Sequence, residues 1–292
     1  MSLKSTLLFE LSRRRLPKPA RRTIDYADYQ EWRKQSLSSS WSAFQGIELT
    51  GRNVLDFGCG DGALSLFLAM KQSPASIIGV DLDPAAIERA KAARSSAQIP
   101  SSVHLDFLLG STDGLPIPDT SVDFLVAFDC LEHVMSPLAI FRDWFRVLRP
   151  GGRCLLEWFP YKGPWGPHME ALIPVPWAHV LFGQKAMFRA AEQLYDLPHF
   201  VPRHWDLDEN GNKKPNKWKQ WSSFKEQGYI NELDIKTFGS LIQAAGLKIA
   251  RLENRSFGGS PLRRVTGHIL MRLPLIGEHF VSYTVIELLR PL

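Results

Sequence analysis

The residues best suited to chemistry are two acids set around a run of glycines. Asp56 sits in the apolar stretch Val54–Phe57, which runs directly into Gly58-Cys59-Gly60-Asp61-Gly62. Glycines at alternate positions let the chain turn tightly and bring bare backbone close to a ligand. A helix that follows such a turn aims its first amides at a negative or electron-rich group. Nineteen residues after Gly62, the stretch Ile77–Val80 ends at Asp81. An acid there, at the carboxyl end of a second strand, can accept both hydroxyls of a ribose.

Two cofactor classes satisfy that spacing. Gly58-x-Gly60-x-x-Ala63 also meets the loose dinucleotide fingerprint, and the distance to Asp81 serves either ligand. Asp56 discriminates between them. A carboxylate just ahead of the first glycine suits a cationic α-amino group and repels a pyrophosphate. S-adenosylmethionine carries both an α-amino group and a sulfonium, so it is the expected cofactor.

Positioning these groups requires strands alternating with helices. The strands are expected at Val54–Phe57, Ile77–Val80, Val103–Leu108, Phe124–Phe128, Arg153–Phe159, Leu247–Glu253 and Tyr283–Leu289. Helices are expected at Ala63–Met70, Pro84–Arg94, Pro137–Leu148, near Leu233–Ala245, and as a short basic amphipathic element at Pro261–Leu273. Strands apolar throughout and separated by helices specify an α/β, doubly wound, mostly parallel sheet covered on both faces. Residues 160–233 break the rhythm and hold most of the tryptophans between Trp158 and Trp221. They read as an insertion forming a substrate lid, within a domain spanning residues 24–292. Residues 24–45 read as helices that cap the site from the other end.

The motifs Val54–Gly62, Gly79-Val80-Asp81-Leu82-Asp83-Pro84, Leu115–Asp119, Val122-Asp123-Phe124, Leu131-Glu132-His133-Val134 and Leu148–Gly152 resemble class I S-adenosylmethionine-dependent methyltransferases. Within that superfamily they look like the quinone-biosynthesis branch, which acts on small, often lipophilic molecules. The resemblance is strong over about residues 50–159. It implies a Rossmann-like sheet of seven strands whose last, Tyr283–Leu289, is antiparallel. It further implies Asp56 and Gly58 along the methionine part, with the backbone of Cys59 and Gly60 beside them, and Asp81 on the ribose. Leu82 would back the adenine, Ser111 and Thr112 would lie at its edge, and Phe128 would close the methionine end. Many relatives carry an acid where this chain has Ser111.

Methyl transfer from a sulfonium is an in-line displacement, so the protein mainly aligns the acceptor and excludes water. A hydroxyl or activated carbon acceptor also needs a base. His133 is one candidate, read otherwise as a helix cap or core hydrogen-bonding group. His168 and Glu170 are the others, with ordinary lid packing as the alternative. Pro164 and Pro167 favour an extended segment there, on which the pair would share a face. No ligand spacing calls for a metal. The expected reaction is O-methylation of a small lipophilic or aromatic molecule, with C-methylation as a variant. An RNA or protein methyltransferase and a non-catalytic cofactor-binding module are the rivals.

Charge is concentrated at one end. Residues 1–22 carry a balance of +6 and the remaining 270 residues a balance of −1, so the net +5 belongs to a basic N-terminal tail, residues 1–23. Such a tail mostly stays solvated; contact with an anionic membrane surface is its next reading, and nucleic acid is not expected. Pro261–Leu273, with Arg263, Arg264 and Arg272 beside apolar residues, could rest on a bilayer in the same way. Lys213, Lys214, Lys217 and Lys219, interleaved with Trp218 and Trp221, read as an exposed turn rather than a nucleic-acid grip. Three scattered cysteines, Cys59, Cys130 and Cys154, point to a reducing, cytoplasmic setting.

Overall fold

The computed structural model describes residues 2–16, 36–256 and 261–292. Seven strands form one sheet in the order β3-β2-β1-β4-β5-β7-β6. These are β1 Asn53–Phe57, β2 Ser76–Asp81, β3 His104–Leu109, β4 Val122–Phe128, β5 Leu148–Trp158, β6 Lys248–Ser256 and β7 Val281–Leu289. β1 pairs in parallel with β2 and β4, placing Val54 beside both Ile77 and Phe124. The outer pairs β2–β3 and β4–β5 are parallel as well, and β7 runs antiparallel to β5. The doubly wound seven-stranded sheet and its antiparallel last strand are therefore as expected. Chain order reverses between β1 and β4, the place where such sheets open a crevice at their carboxyl ends.

The elements follow from local chemistry. The helix Pro84–Ser96 starts with proline in its first turn, and the Asp83 carboxylate caps it by accepting from the Ala85 amide at 2.9 Å. The helix Pro137–Val147 buries Phe141, Trp144 and Val147 along one stripe. Phe57 meets Trp144 edge to face at 5.2 Å, and Phe238 of the helix Ile235–Ala244 meets Phe141 at 5.6 Å. Arg149–Gly152 bulges out of β5, so pairing with β4 jumps from Val122–Leu148 to Phe124–Arg153.

The chain divides into two compact units. The sheet unit comprises the described parts of residues 31–158, 235–255 and 283–292; the helical unit comprises those of 1–30, 159–234 and 256–282. Residues 36–41 are helical in the sheet unit, and Leu37, Trp41 and Phe44 join its core. The remainder of the helices expected at 24–45 lies outside the described residues.

Two helices of the helical unit depart from expectation. Leu3–Arg13, within the stretch read as a solvated tail, is a helix capped by Ser2 and packed on the helix Gln184–Tyr195. Its Ser5, Leu8 and Ser12 recur at helical spacing and are buried, so residues 3–13 are an element of the fold. Arg13, Arg14 and Arg15 are exposed, and the basic residues from Lys18 to Arg22 lie outside the described residues. The helix Gln184–Tyr195 falls in the stretch expected to be irregular; Met187, Phe188, Ala190, Ala191, Leu194 and Tyr195 line its buried face.

Candidate functional site

The glycine-rich turn sits at the carboxyl end of β1 with its geometry set by backbone. Gly58 has φ +71°, and a Cβ built on it would lie 2.7 Å from the Cβ of Cys130. No other residue fits, because both the left-handed conformation and the close approach exclude a side chain. The amides of Gly58 and Cys59 both donate to the Val80 carbonyl, at 2.9 and 3.1 Å, tying the turn to the end of β2. Arg89 reaches across from the helix Pro84–Ser96 to hold Asp61 at 2.8 Å.

Asp81, the last residue of β2, is fixed by two backbone donors. One oxygen accepts from the Gly60 amide at 2.8 Å and the other from the Asp83 amide at 2.9 Å. Each oxygen has a second lone pair, so a carboxylate held this way can still accept a pair of vicinal hydroxyls. Asp56 is buried in β1 and accepts from the Ser65 hydroxyl at 2.6 Å, coupling the strand to the helix Ala63–Gln72.

An adenosyl sulfonium bearing a carboxylate fits this arrangement on three counts. No side chain caps the helix Ala63–Gln72 at Gly62, so its first-turn amides can serve a ligand's negative end. Beside Gly60 no atom lies within 4 Å of where a Cβ would be, which leaves the turn open on the ligand side. Leu82, 59% exposed at the end of β2, offers an apolar face to a flat ring.

The other expected contacts are distributed as follows. Ser111 and Thr112 lie exposed in the loop after β3, where the Ser111 hydroxyl accepts from the Asp113 amide at 3.2 Å. Phe128 is buried at the end of β4 and stacks on Phe44 at 5.5 Å. His133 is half-buried in a single turn of 3-10 helix, Leu131–His133, just past β4. All of these belong to the sheet unit.

His168 and Glu170 belong to the helical unit, and the extended segment expected for them is absent. The His168 amide bonds back to the Trp165 carbonyl at 2.8 Å, and His168 itself has φ +51°. The chain turns instead of extending, so His168 is half-buried against Phe159 while Glu170 is exposed and Met169 between them is buried. Pro164 and Pro167 constrain only the residues before them, and turn hydrogen bonds decide the rest. His179, in the same unit, is buried against Tyr161 at 4.9 Å, and burial lowers its pKa to about 4.

Several residues of the sheet unit escaped the sequence reading. Asp129, directly after β4, takes φ +53°, a strained conformation that persists where surrounding structure enforces it. Glu132 is buried beside His133, and Glu157 is buried near the end of β5. Glu132 stands in the Leu131–Val134 motif and Glu157 in an expected strand, but nothing in sequence marks an acid as buried. The thiols of Cys59 and Cys130 are pushed well up, first by burial and then by neighbouring acids, so neither is a thiolate nucleophile near neutral pH.

Comparison with known proteins agrees with this geometry. Residues 55–156 match the methyltransferase domain family. An uncharacterized methyltransferase of Mycobacteroides abscessus is 33% identical over 136 residues, covering 47% of this chain and 51% of its own length. A ubiquinone biosynthesis O-methyltransferase of Xanthomonas oryzae is 39% identical over 112 residues, 38% of this chain and 44% of that protein. The chain thus spans about half the length of the curated relatives it matches. Among solved structures, an S-adenosylmethionine-dependent methyltransferase from Mesorhizobium loti superposes with a TM-score of 0.52 at 17% identity, covering 87% of this chain and all of that one.

Proposed function

We propose that this chain, which carries a class I S-adenosylmethionine-dependent methyltransferase domain, transfers a methyl group to a small lipophilic or aromatic molecule. A hydroxyl oxygen is the favoured acceptor and an activated carbon the variant. The observation that carries the reading is the pairing of the open Gly58–Gly62 turn with an Asp81 carboxylate preset by two amides. Asp56 and Gly58, with the Cys59 and Gly60 backbone beside them, are assigned to the methionine part, Asp81 to the ribose, Leu82, Ser111 and Thr112 to the adenine, and Phe128 to the closed end.

S-adenosylmethionine supplies an electrophilic methyl and its own leaving group when bound. The chain's task is then to orient the acceptor, exclude water and take a proton. His133 is the first candidate for that proton, since it stands at the end of β4; His168 is the second and the exposed Glu170 the third. The small-molecule assignment draws on the aromatic richness of residues 159–221 and on the quinone-pathway relative.

The lysine-rich strip weighs against an RNA acceptor. Lys217 and Lys219 pair with Asp206 and Asp196, both at 2.9 Å, while Lys213 donates to the Tyr195 carbonyl and lies over its ring. Opposed in this way by Asp206 and Asp196, the strip carries less net positive charge than a phosphate-binding patch needs.

Calorimetry with S-adenosylhomocysteine, followed by transfer of labelled methyl to a panel of phenols, quinols, RNA and peptides, tests the proposal. Heat with the cofactor product and methylation among the phenols or quinols is expected. Reaction of macromolecular acceptors alone would reject the substrate class. Tight binding without turnover on any acceptor favours a non-catalytic module, and binding of NADH in place of S-adenosylhomocysteine removes the cofactor assignment.

A further inference from the structure

The helix Pro261–Leu270 and the loop after it turn an apolar row toward water. Val265 and Ile269 lie one helical turn apart, 58% and 59% exposed, and Leu273 continues the row. The helix already has a packed face, for Gly267 is buried and Leu270 and Met271 are half-buried. The exposed row is therefore a second apolar surface.

The loop that follows is built around one exposed residue. The Ile276 amide donates to the Pro274 carbonyl and the Gly277 amide to the Leu273 carbonyl, both at 2.9 Å. Leu275 at the tip is 100% exposed and takes φ +68°, a conformation costly for leucine. A side chain at position 277 would collide with the Met271 carbonyl, so glycine is required for the loop to close this way. Backbone strain that delivers a leucine to solvent marks an interaction surface more strongly than a scattered apolar residue does.

Charge identifies the partner. Residues 256–277 include Arg263, Arg264 and Arg272 and no acid. The first acid beyond them, Glu278, has a side chain only 17% exposed and is paired with Lys162 at 3.5 Å. An apolar row with Arg272 exposed beside it, in a stretch of sequence without carboxylates, complements an anionic bilayer surface.

We propose that residues 265–276 dock on the interfacial region of an anionic lipid bilayer, with Leu275 and Ile276 entering the boundary between headgroups and acyl chains. No described helix is long and apolar enough to cross a membrane, and the contact proposed is with the bilayer surface. This goes beyond methyl transfer and does not rest on it.

The test uses the full chain and vesicles of phosphatidylcholine, with and without phosphatidylserine, separated by sedimentation. Binding to the phosphatidylserine vesicles that weakens with salt is expected. Leu275→Asn, which tolerates the left-handed backbone and adds no charge, reduces partitioning about tenfold. Ile269→Asn combined with it abolishes binding. Met70→Asn, which alters an exposed apolar residue of the sheet unit, leaves binding intact, and all three variants keep their affinity for S-adenosylhomocysteine. The inference is overturned if the native chain ignores the vesicles, or if Leu275→Asn binds as well as the native chain. It is equally overturned if Arg14→Glu with Arg15→Glu alone abolishes binding, or if Leu275→Asn disrupts only self-association.

Discussion

The Gly58–Gly62 turn and the segment Phe159–Asp234 both carry candidate chemistry, and they are held together by different forces. In the turn, order comes from the backbone: amides of Gly58 and Cys59 on Val80, an amide of Gly60 on Asp81, and the near absence of side chains. In Phe159–Asp234, order comes from side-chain burial. Phe188 packs against Phe224 at 5.1 Å and Trp218 at 6.1 Å, and Tyr161 is flanked by His179 and Phe224. The first region should therefore fail when a side chain is added, and the second when one is removed.

The sharpest way to break this contrast is Gly58→Val. A branched side chain at φ +71° against Cys130 displaces the turn, and S-adenosylhomocysteine affinity should fall by about a hundredfold or more in calorimetry. The complementary change is Leu8→Ala. Leu8 is fully buried among Met187, Phe188 and Leu194, so the helical unit should lose about 2–5 kcal/mol in denaturant unfolding. Cofactor affinity should be unchanged, because every assigned cofactor residue lies in the sheet unit. Deleting residues 1–22 would remove Leu8 with the arginines, so charge reversal at Arg14 and Arg15 is the cleaner probe of the basic end.

His179 sharpens the comparison through pH. Burial lowers it to about 4 from 6.5, so between those values the unfolded chain binds a proton that the folded chain does not. Its contribution to stability is full above pH 6.5 and is lost as pH falls toward 4, on the order of 3 kcal/mol in all. His179→Phe should flatten that part of the curve in thermal unfolding, with no effect on the turn.

The smallest effect is expected from Asp81→Ala. Removing a charged acceptor from two amides and from the assigned ribose should weaken S-adenosylhomocysteine by about ten- to a hundredfold. Retention of full affinity would show that backbone alone seats the ligand.

The sheet is legible in the sequence because its signals are local. Each strand is a short apolar run, helices such as Pro84–Ser96 open with a cap and a proline, and a glycine hairpin followed by Asp81 has few physical uses. Observed boundaries moved by a few residues, as at β5, where pairing extends back to Leu148 across the bulge. Elements whose structure is set by burial are less legible. The helix Leu3–Arg13 was hidden by the basic run that ends it, Arg13 to Arg15, although Ser5, Leu8 and Ser12 already had helical spacing. Gln184–Tyr195 carried a readable apolar stripe too, obscured by the prolines and tryptophans around it.

The strands, the doubly wound class of their sheet and the turn with its two acids were legible along the chain, because bond-level constraints on glycine, proline and β-branched residues act over a few positions, whereas the order of the strands came from the fold. Tertiary structure alone decided that Glu132 and Glu157 are buried, that Asp129 is strained and that His168 and Glu170 sit in a turn. It also decided that Leu275 stands in solvent. Those properties depend on which distant residues exclude water from a side chain, and that is a sum over the folded neighbourhood with no counterpart along the chain.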